Sequence, residues 1–194
     1  MKKSTSLLIV AAVAGLVQAC SNNDGSSAAN VSATRSDTAK AVPATAPPAA
    51  NIQADTAFVQ KAAMGGMTEV ALGKMAADKA KDTRVKDFGN RMVTDHGKVN
   101  DELKSIAGSK NIQLPAGLDA KHQALSDSLG KMSGKAFDTA YVNAMLNDHK
   151  DALALMQSEA SNGTDAELKA FAGRTAPLIQ SHLDMIQKIH DAMK

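Results

Sequence analysis

From about residue 55 to the C-terminus, apolar residues recur at helical spacing and no strand-like alternation competes with them. The first stripe is Phe58, Ala62, Gly65, Glu69, Leu72 and Ala76, stepping by four and three. It predicts a helix from Asp55, as N-cap, to about Lys81. Asp82 or Thr83 caps a second helix reaching about Gly108, with Val85, Phe88, Met92, His96, Val99, Leu103 and Ile106 on one face. A third long helix, from about Lys135 to Ser161, carries Val142, Met145, Leu146, His149, Leu153 and Met156 on one face. The fourth opens at "TDAE", where Thr164 and Glu167 have capping-box spacing. It continues through Leu168, Phe171, Thr175, Leu178, His182, Met185, Ile189 and Ala192 in a near-heptad pattern. Pro177 is expected to bend it, because proline removes a donor and crowds the preceding turn.

Between the second and third of these helices lies "SKNIQLPAGLDAKHQALSDSLGKMSG", with Pro115 and several glycines around one short helix near Asp119 to Leu129. The halves echo each other, since "DTRVKDFGNR" (Asp82 to Arg91) matches "DAELKAFAGR" (Asp165 to Arg174) at Asp, Lys, Phe and Arg. Two helical hairpins joined by a longer connection make an all-α, antiparallel four-helix bundle with a short extra helix in the connection. The heptad-like stripes predict left-handed packing. Gly65 and Gly66 inside the first helix each cost up to about 1 kcal/mol relative to Ala, so they are expected to permit close approach of another helix.

The N-terminal part changes the picture of where the domain works. "MKKSTSLLIVAAVAGLVQAC" has Lys2 and Lys3, an apolar run from Leu7 to Val17 and then small residues, the layout of a secretory signal. The run is too short for a spanning helix, which needs about 20 residues. It ends in "LVQAC", which resembles a bacterial lipobox, and Cys20 is the only cysteine, which favours lipidation over a disulfide framework. The alternative is an ordinary cleaved signal followed by a free thiol. Ser21 after the cysteine implies sorting to the outer membrane, with the protein lipid-anchored and facing the periplasm. The expected divisions are 1–19 signal peptide, 20–54 lipidated cysteine and disordered Ser/Ala/Pro-rich tether, and 55–194 helical domain.

The chain has 22 Lys and Arg against 20 Asp and Glu, so removing Lys2 and Lys3 leaves a formally neutral protein. With no basic block, one Tyr and no Trp, nucleic-acid binding has no support. No "GxSxG" turn or phosphate-binding glycine loop is present. No protein partner is indicated.

The candidate chemistry lies in the residues that interrupt the apolar stripes. Glu69, His96, His149 and His182 each take an inward place, one per long helix. Counted from the hairpin turns at about 1.5 Å per residue, Glu69 and His96 differ by roughly 4 Å in height, and His149 and His182 by about 7 Å. They are therefore expected to meet near mid-bundle. Asp95 and Asp148 each precede a histidine and could orient it or reach the site from the flank. Neutral imidazoles and a carboxylate converging from separate helices suit a transition ion such as Cu, Zn, Fe or Mn. Met92, Met145 and Met185 lie a turn from the histidines, and thioether would favour Cu(I), although plain core filling is the simpler role. The competing reading is a metal-free buried polar layer that fixes helix register. His122, in the connection, and His190, near the C-terminus, are expected to be solvated.

"MTEVALGKMAADKAKDTRVKDFGNRMVTDHGKVNDEL", "AFDTAYVNAMLNDHKDALALM" and "DAELKAFAGRTAPLIQSHL" resemble the bacterial family of predicted outer-membrane proteins built on a ferritin-like domain of unknown function, DUF4142. The likeness spans about Thr56 to Ala192 and implies a ferritin-like bundle; it brings no established activity. Ferritin-like di-iron proteins use inward Glu residues with Glu-x-x-His pairs. None of the three inward histidines has a Glu three residues earlier, so a di-metal oxidase has the least support. The sequence thus favours a non-catalytic envelope module, with a role in envelope maintenance or stress tolerance. Its alternative is transition-metal buffering or storage through the Glu/His layer.

Overall fold

The computed structural model describes residues 49–194. The expected signal peptide, Cys20 and most of the tether lie outside the described residues. Five helices and no strand occur among those described: α1 (Ala49–Lys79), α2 (Thr83–Ser109), α3 (Ala120–Gly130), α4 (Gly134–Asn162) and α5 (Ala166–Asp191). None is long and apolar enough to cross a membrane.

Each end of the bundle is tied by a carboxylate. The buried Asp138 of α4 accepts from Lys81 N at 3.0 Å and Asp82 N at 2.9 Å, so the α1–α2 turn sits on the start of α4. At the opposite end Lys110, just past α2, reaches Asp165 at 2.7 Å and Glu167 at 3.1 Å, at the start of α5. Neighbouring long helices are therefore antiparallel, and the segment from Lys110 to Ser133 runs the length of the bundle with α3 inside it. This is the ferritin-like arrangement. The Lys79 ammonium donates to the carbonyl of Gly130, fastening the end of α3 to α1.

Capping decides the boundaries, and it departs from the expected pattern twice. Asp165, not Thr164, caps α5, accepting from Glu167 N and Leu168 N, both at 3.0 Å. Its carboxylate also meets Lys110, which the Thr164 hydroxyl cannot do. Helix α1 starts at Ala49, so Asp55 lies inside it and takes in the last residues assigned to the tether. The Asp55 carboxylate accepts from the Thr164 hydroxyl at 3.3 Å.

The buried face of α5 runs Leu168, Phe171, Thr175, Ile179, His182 and Ile186. Leu178, Met185 and Ile189, expected on the inner stripe, are only half-buried. A straight helix turns every 3.6 residues, so a strict heptad stripe drifts off the core-facing side. Helix α5 continues unbroken through Pro177, which is exposed. Of the two glycines expected to admit a neighbouring helix, Gly66 does so, since a Cβ there would overlap Asn100 Oδ1 of α2, and a second close approach lies further along. A Cβ on Gly73 would lie 2.8 Å from Gly89 O, and one on Gly89 would lie 2.7 Å from Gly73 O, so α1 and α2 touch there backbone to backbone. Gly65 faces open space and Gly66 faces the Asn100 side chain.

The interior is divided. One apolar cluster holds Leu72, Phe88, Met92, Tyr141, Met145 and Ile186; the other holds Phe58, Leu103, Met156, Phe171 and Ile179. Along every long helix, the residue separating the two clusters is Glu69, His96, His149 or His182.

Candidate metal centre

The four interrupting side chains do share one layer. Glu69 and His96 are 2% exposed, and His149 and His182 are 0% exposed. The His96 and His182 ring centroids are 5.2 Å apart, and His149 lies 5.7 Å from His96 and 5.6 Å from His182. Phe88 packs against His149 and His182 from the first apolar cluster. Nothing in this layer is free to turn toward solvent, so its polar atoms must satisfy one another.

Each imidazole has one nitrogen paired with a group outside the three rings. His149 Nδ1 lies 2.9 Å from the Met145 carbonyl, which can only accept, so the proton is on Nδ1 and Nε2 carries the lone pair. His182 Nε2 lies 2.9 Å from Asp95 Oδ2, and His96 Nδ1 lies 2.7 Å from Glu69 Oε2. The other nitrogens, His96 Nε2 and His182 Nδ1, face each other at 3.2 Å. One ring nitrogen from each of the three histidines falls within 4.8 Å of the others. A histidine that holds an ion through one nitrogen is oriented by a hydrogen bond from the other to a carboxylate or carbonyl. All three rings have that partner.

Without an ion, the contacts form a single directional chain. Burial pushes the Glu69 carboxyl up to about 7, outweighing the opposing charge of His149. Burial, helped by the neighbouring Glu69 charge, pushes Asp148 up to about 8. Burial also takes His96 and His182 down to about 4, despite the carboxylates near them, and lowers His149. Partial burial raises Asp95, but the His182 hydrogen bond and the charges of His182 and Arg91 outweigh it and hold that carboxyl below its usual range. Protonated Asp148 then faces Glu69, the Glu69 hydroxyl donates to His96, His96 to His182, and His182 to ionised Asp95. This order gives no donor to His149, and Glu69 Oε1 and Asp148 Oδ2 also lack a hydrogen-bond partner. His149 Nε2 is buried with no hydrogen-bond partner, 3.6 Å from Glu69 Oε1. An unmet buried group of this kind costs about 1–3 kcal/mol, and an ion on that lone pair would relieve it.

The two aspartates act differently from their sequence positions. Asp95 holds His182 of α5 and not His96 beside it, because adjacent residues on a helix point to different faces. Asp148 joins Glu69 and His149 in a second group whose ligand atoms lie within 4.8 Å. Met92 and Met145 belong to the first apolar cluster, and the contribution of Met145 to the site is its backbone carbonyl. His122 is not solvated as expected: its side chain is half-buried, Nδ1 lies 2.6 Å from Asp119 Oδ1, and it lines a cavity leading to Glu69. His190 is half-buried beside Asp191 at 3.2 Å. Sequence reasoning missed Tyr141, whose hydroxyl is buried without a partner and whose ionisation burial and the nearby carboxylates oppose. It also missed Asn100, one turn after His96, whose Oδ1 is buried without a donor.

Residues 40–189 match the domain of unknown function DUF4142. The chain belongs to the DUF4142 family. No curated protein sequence is similar enough to count as a match. Solved structures do resemble this DUF4142 domain. A DUF305 fragment from Deinococcus radiodurans superposes with a TM-score of 0.63 at 10% identity, covering 71% of this chain and 95% of that one. CopM in its Cu(II)-bound form gives 0.62 at 16% identity, covering 72% and 97%. A secreted DUF305 protein from Streptomyces coelicolor gives 0.61 at 12% identity, covering 72% and 93%. At these identities the likeness is one of fold.

Proposed function

We propose that this DUF4142 domain binds a transition-metal ion in the cell envelope, holding it on His96, His149 and His182. The observation that carries this reading is the pairing of one nitrogen of each ring with a group outside the trio, namely Glu69 Oε2, Asp95 Oδ2 and the Met145 carbonyl, with Glu69 accepting from His96 once it is ionised. The remaining nitrogens are His96 Nε2 and His182 Nδ1, 3.2 Å apart, and the unpartnered His149 Nε2, and one nitrogen of each ring lies within 4.8 Å of the others. A metal-free polar layer, which the sequence favoured, leaves the buried His149 Nε2, Glu69 Oε1 and Asp148 Oδ2 without partners. Three neutral imidazoles suit copper and zinc better than magnesium or calcium, which prefer oxygen. CopM, of the same fold, is known in Cu(II)-bound and Ag-bound forms, which adds support for copper. The absence of Glu-x-x-His pairs argues against a di-metal oxidase, so buffering or storage is the role that fits.

The location is part of the proposal: cleavage before Cys20, lipid on that cysteine and a periplasmic position under the outer membrane. Cys20→Ser is expected to shift the protein from the membrane fraction to the soluble periplasmic fraction. The test of function is isothermal titration of residues 49–194 with Cu(I), Cu(II), Zn(II), Fe(II) and Mn(II), beside the double variant His96→Ala, His149→Ala. Stoichiometric submicromolar binding lost in the variant supports the reading. Absent binding, with the variant only less stable, returns the layer to a structural role.

A further inference from the structure

The buried layer packs against Phe88 on one side and meets a cavity at Glu69, His96 and Asp148. A cavity of about 950 Å³ lies between α1, α2, α4, α5 and the connecting segment from Gln113 to His122. Its apolar wall includes Val99, Leu155 and Phe171, and its inner end reaches Glu69, His96 and Asp148. Of the three histidines only His96 lines it, with both ring nitrogens already engaged by Glu69 and His182, so an ion arriving this way meets two carboxyl groups and one occupied imidazole before the full set. At the outer end stand His122, with Nδ1 held by Asp119 at 2.6 Å, and the exposed Asp151. Lys61 and Lys121 also lie at the rim, but both are exposed and their charges are screened by solvent.

Two ligand sets overlap at the inner end. The first is Glu69, Asp148 and His149; the second is His96, His149 and His182. They have His149 in common, and its Nε2 is unpartnered, as are Glu69 Oε1 and Asp148 Oδ2, the two carboxyl oxygens of the outer set.

We propose that an incoming ion is captured at the inner end of the cavity by Glu69 and Asp148 together with the unpartnered Nε2 of His149 behind them, then passes to His96 and His182, whose facing nitrogens are engaged with each other until then, by ligand exchange around the shared His149. This rests on the metal-binding reading above and adds a route and an order of ligands to it. Two carboxylate bonds break as two imidazole bonds form and no electron is transferred; protons displaced from the carboxyls on capture leave to solvent through the cavity, and the His96 proton passes from Nε2 to Nδ1, where the released Glu69 carboxylate accepts from it. The outer set, rich in oxygen, accepts ions broadly; the inner set, all nitrogen, selects among them. Asp148 is then a ligand used in loading, and Asp95 a positioning residue for retention, since Asp95 lies outside the cavity and holds His182.

The test is stopped-flow mixing of the intact folded domain with Co(II), whose visible spectrum reports the ligands around it. The wild type is expected to show a fast phase followed by a slower change to the final spectrum. Asp148→Asn should slow loading by about tenfold, the lower end of what a charged cleft contributes to association, while moving the equilibrium affinity less. Asp95→Asn should do the reverse. His182→Ala should keep the fast phase and lose the second. Ala152→Phe, which narrows the cavity without removing a ligand, should also slow loading, and helical circular dichroism checks that each variant folds. Loading of Asp148→Asn at the wild-type rate, or a single phase shared by wild type and His182→Ala, overturns the two-set route but leaves metal binding intact. Failure of the wild type to bind Co(II), Cu or Zn overturns both.

Discussion

His149 carries two unlike hydrogen-bonding situations on one ring, a satisfied Nδ1 and an unmet Nε2, both fully buried. That asymmetry separates an ion site from a polar layer, and it sets the ranking of substitutions. His149→Ala is expected to weaken Zn(II) or Cu(II) binding by more than about 100-fold. Asp95→Asn, which only loosens the hold on His182, should cost about 10- to 100-fold. Equal effects in a calorimetric titration would show that Asp95 does more than orient a ring.

The same side chains set a pH dependence with an unusual sign. Glu69 and Asp148 have folded pKa values raised to about 7 and about 8. Their contribution to stability is complete below the ordinary carboxylate range and is lost as pH rises toward those values. His96 and His182, lowered to about 4, act oppositely: their contribution is present above about 6.5 and lost as pH falls toward 4. Between pH 4.5 and 6.5 the two trends oppose each other. Above 6.5 only the carboxyls remain, so the metal-free domain should lose stability from pH 6.5 to 8, by up to about 1.4 kcal/mol per pH unit for each proton. Urea unfolding at several pH values checks this. Glu69→Gln should flatten the slope, and a rising slope would contradict the proton order described above.

At this scale the sequence revealed Glu69 and the three histidines because each breaks an apolar stripe. It could not reveal that Asp95 serves the histidine of another helix, or that His122 folds back over a cavity. Those depend on how helices rotate against each other, which spacing along one helix does not contain.

Among the elements, the α1–α2 hairpin is fixed by contact between Gly73 and Gly89, and this fixes how Glu69 meets His96. Gly89→Ala places a methyl group 2.7 Å from Gly73 O and 2.9 Å from Ala76 Cβ. Such overpacking costs about 1–3 kcal/mol, more than the helix propensity gained, which is about 1 kcal/mol at most. Gly65→Ala meets nothing within 4 Å and should be neutral or stabilising by up to about 1 kcal/mol. Thermal unfolding of the pair separates packing from propensity, and equal effects would contradict the contact. The helices themselves were legible from capping residues and periodicity. The error over Gly65 arose because glycine marks either a close approach or an open face, and only the neighbouring helix decides which.

For the whole molecule, two apolar clusters on either side of the polar layer mean that the layer can change its ion and proton content while packing is kept on both sides. Ion binding should therefore appear as added stability of an already folded bundle. At a free-ion concentration 100 times the Kd, the gain is about 2.7 kcal/mol, or on the order of 5–10 °C in Tm for a domain of this size. A chelator should reverse it. A melting temperature unmoved by any transition ion would count against binding in the folded state.

X-ray absorption spectroscopy of the domain loaded with one equivalent of Zn(II) or Cu(II) is the most direct measurement, because imidazole rings give a scattering pattern that other ligands do not. Three imidazole nitrogens around the ion, reduced by one in His182→Ala, is the expected result. An oxygen-dominated shell with at most one imidazole, unchanged in that variant, would show that the ion sits elsewhere and that the buried histidines hold only one another.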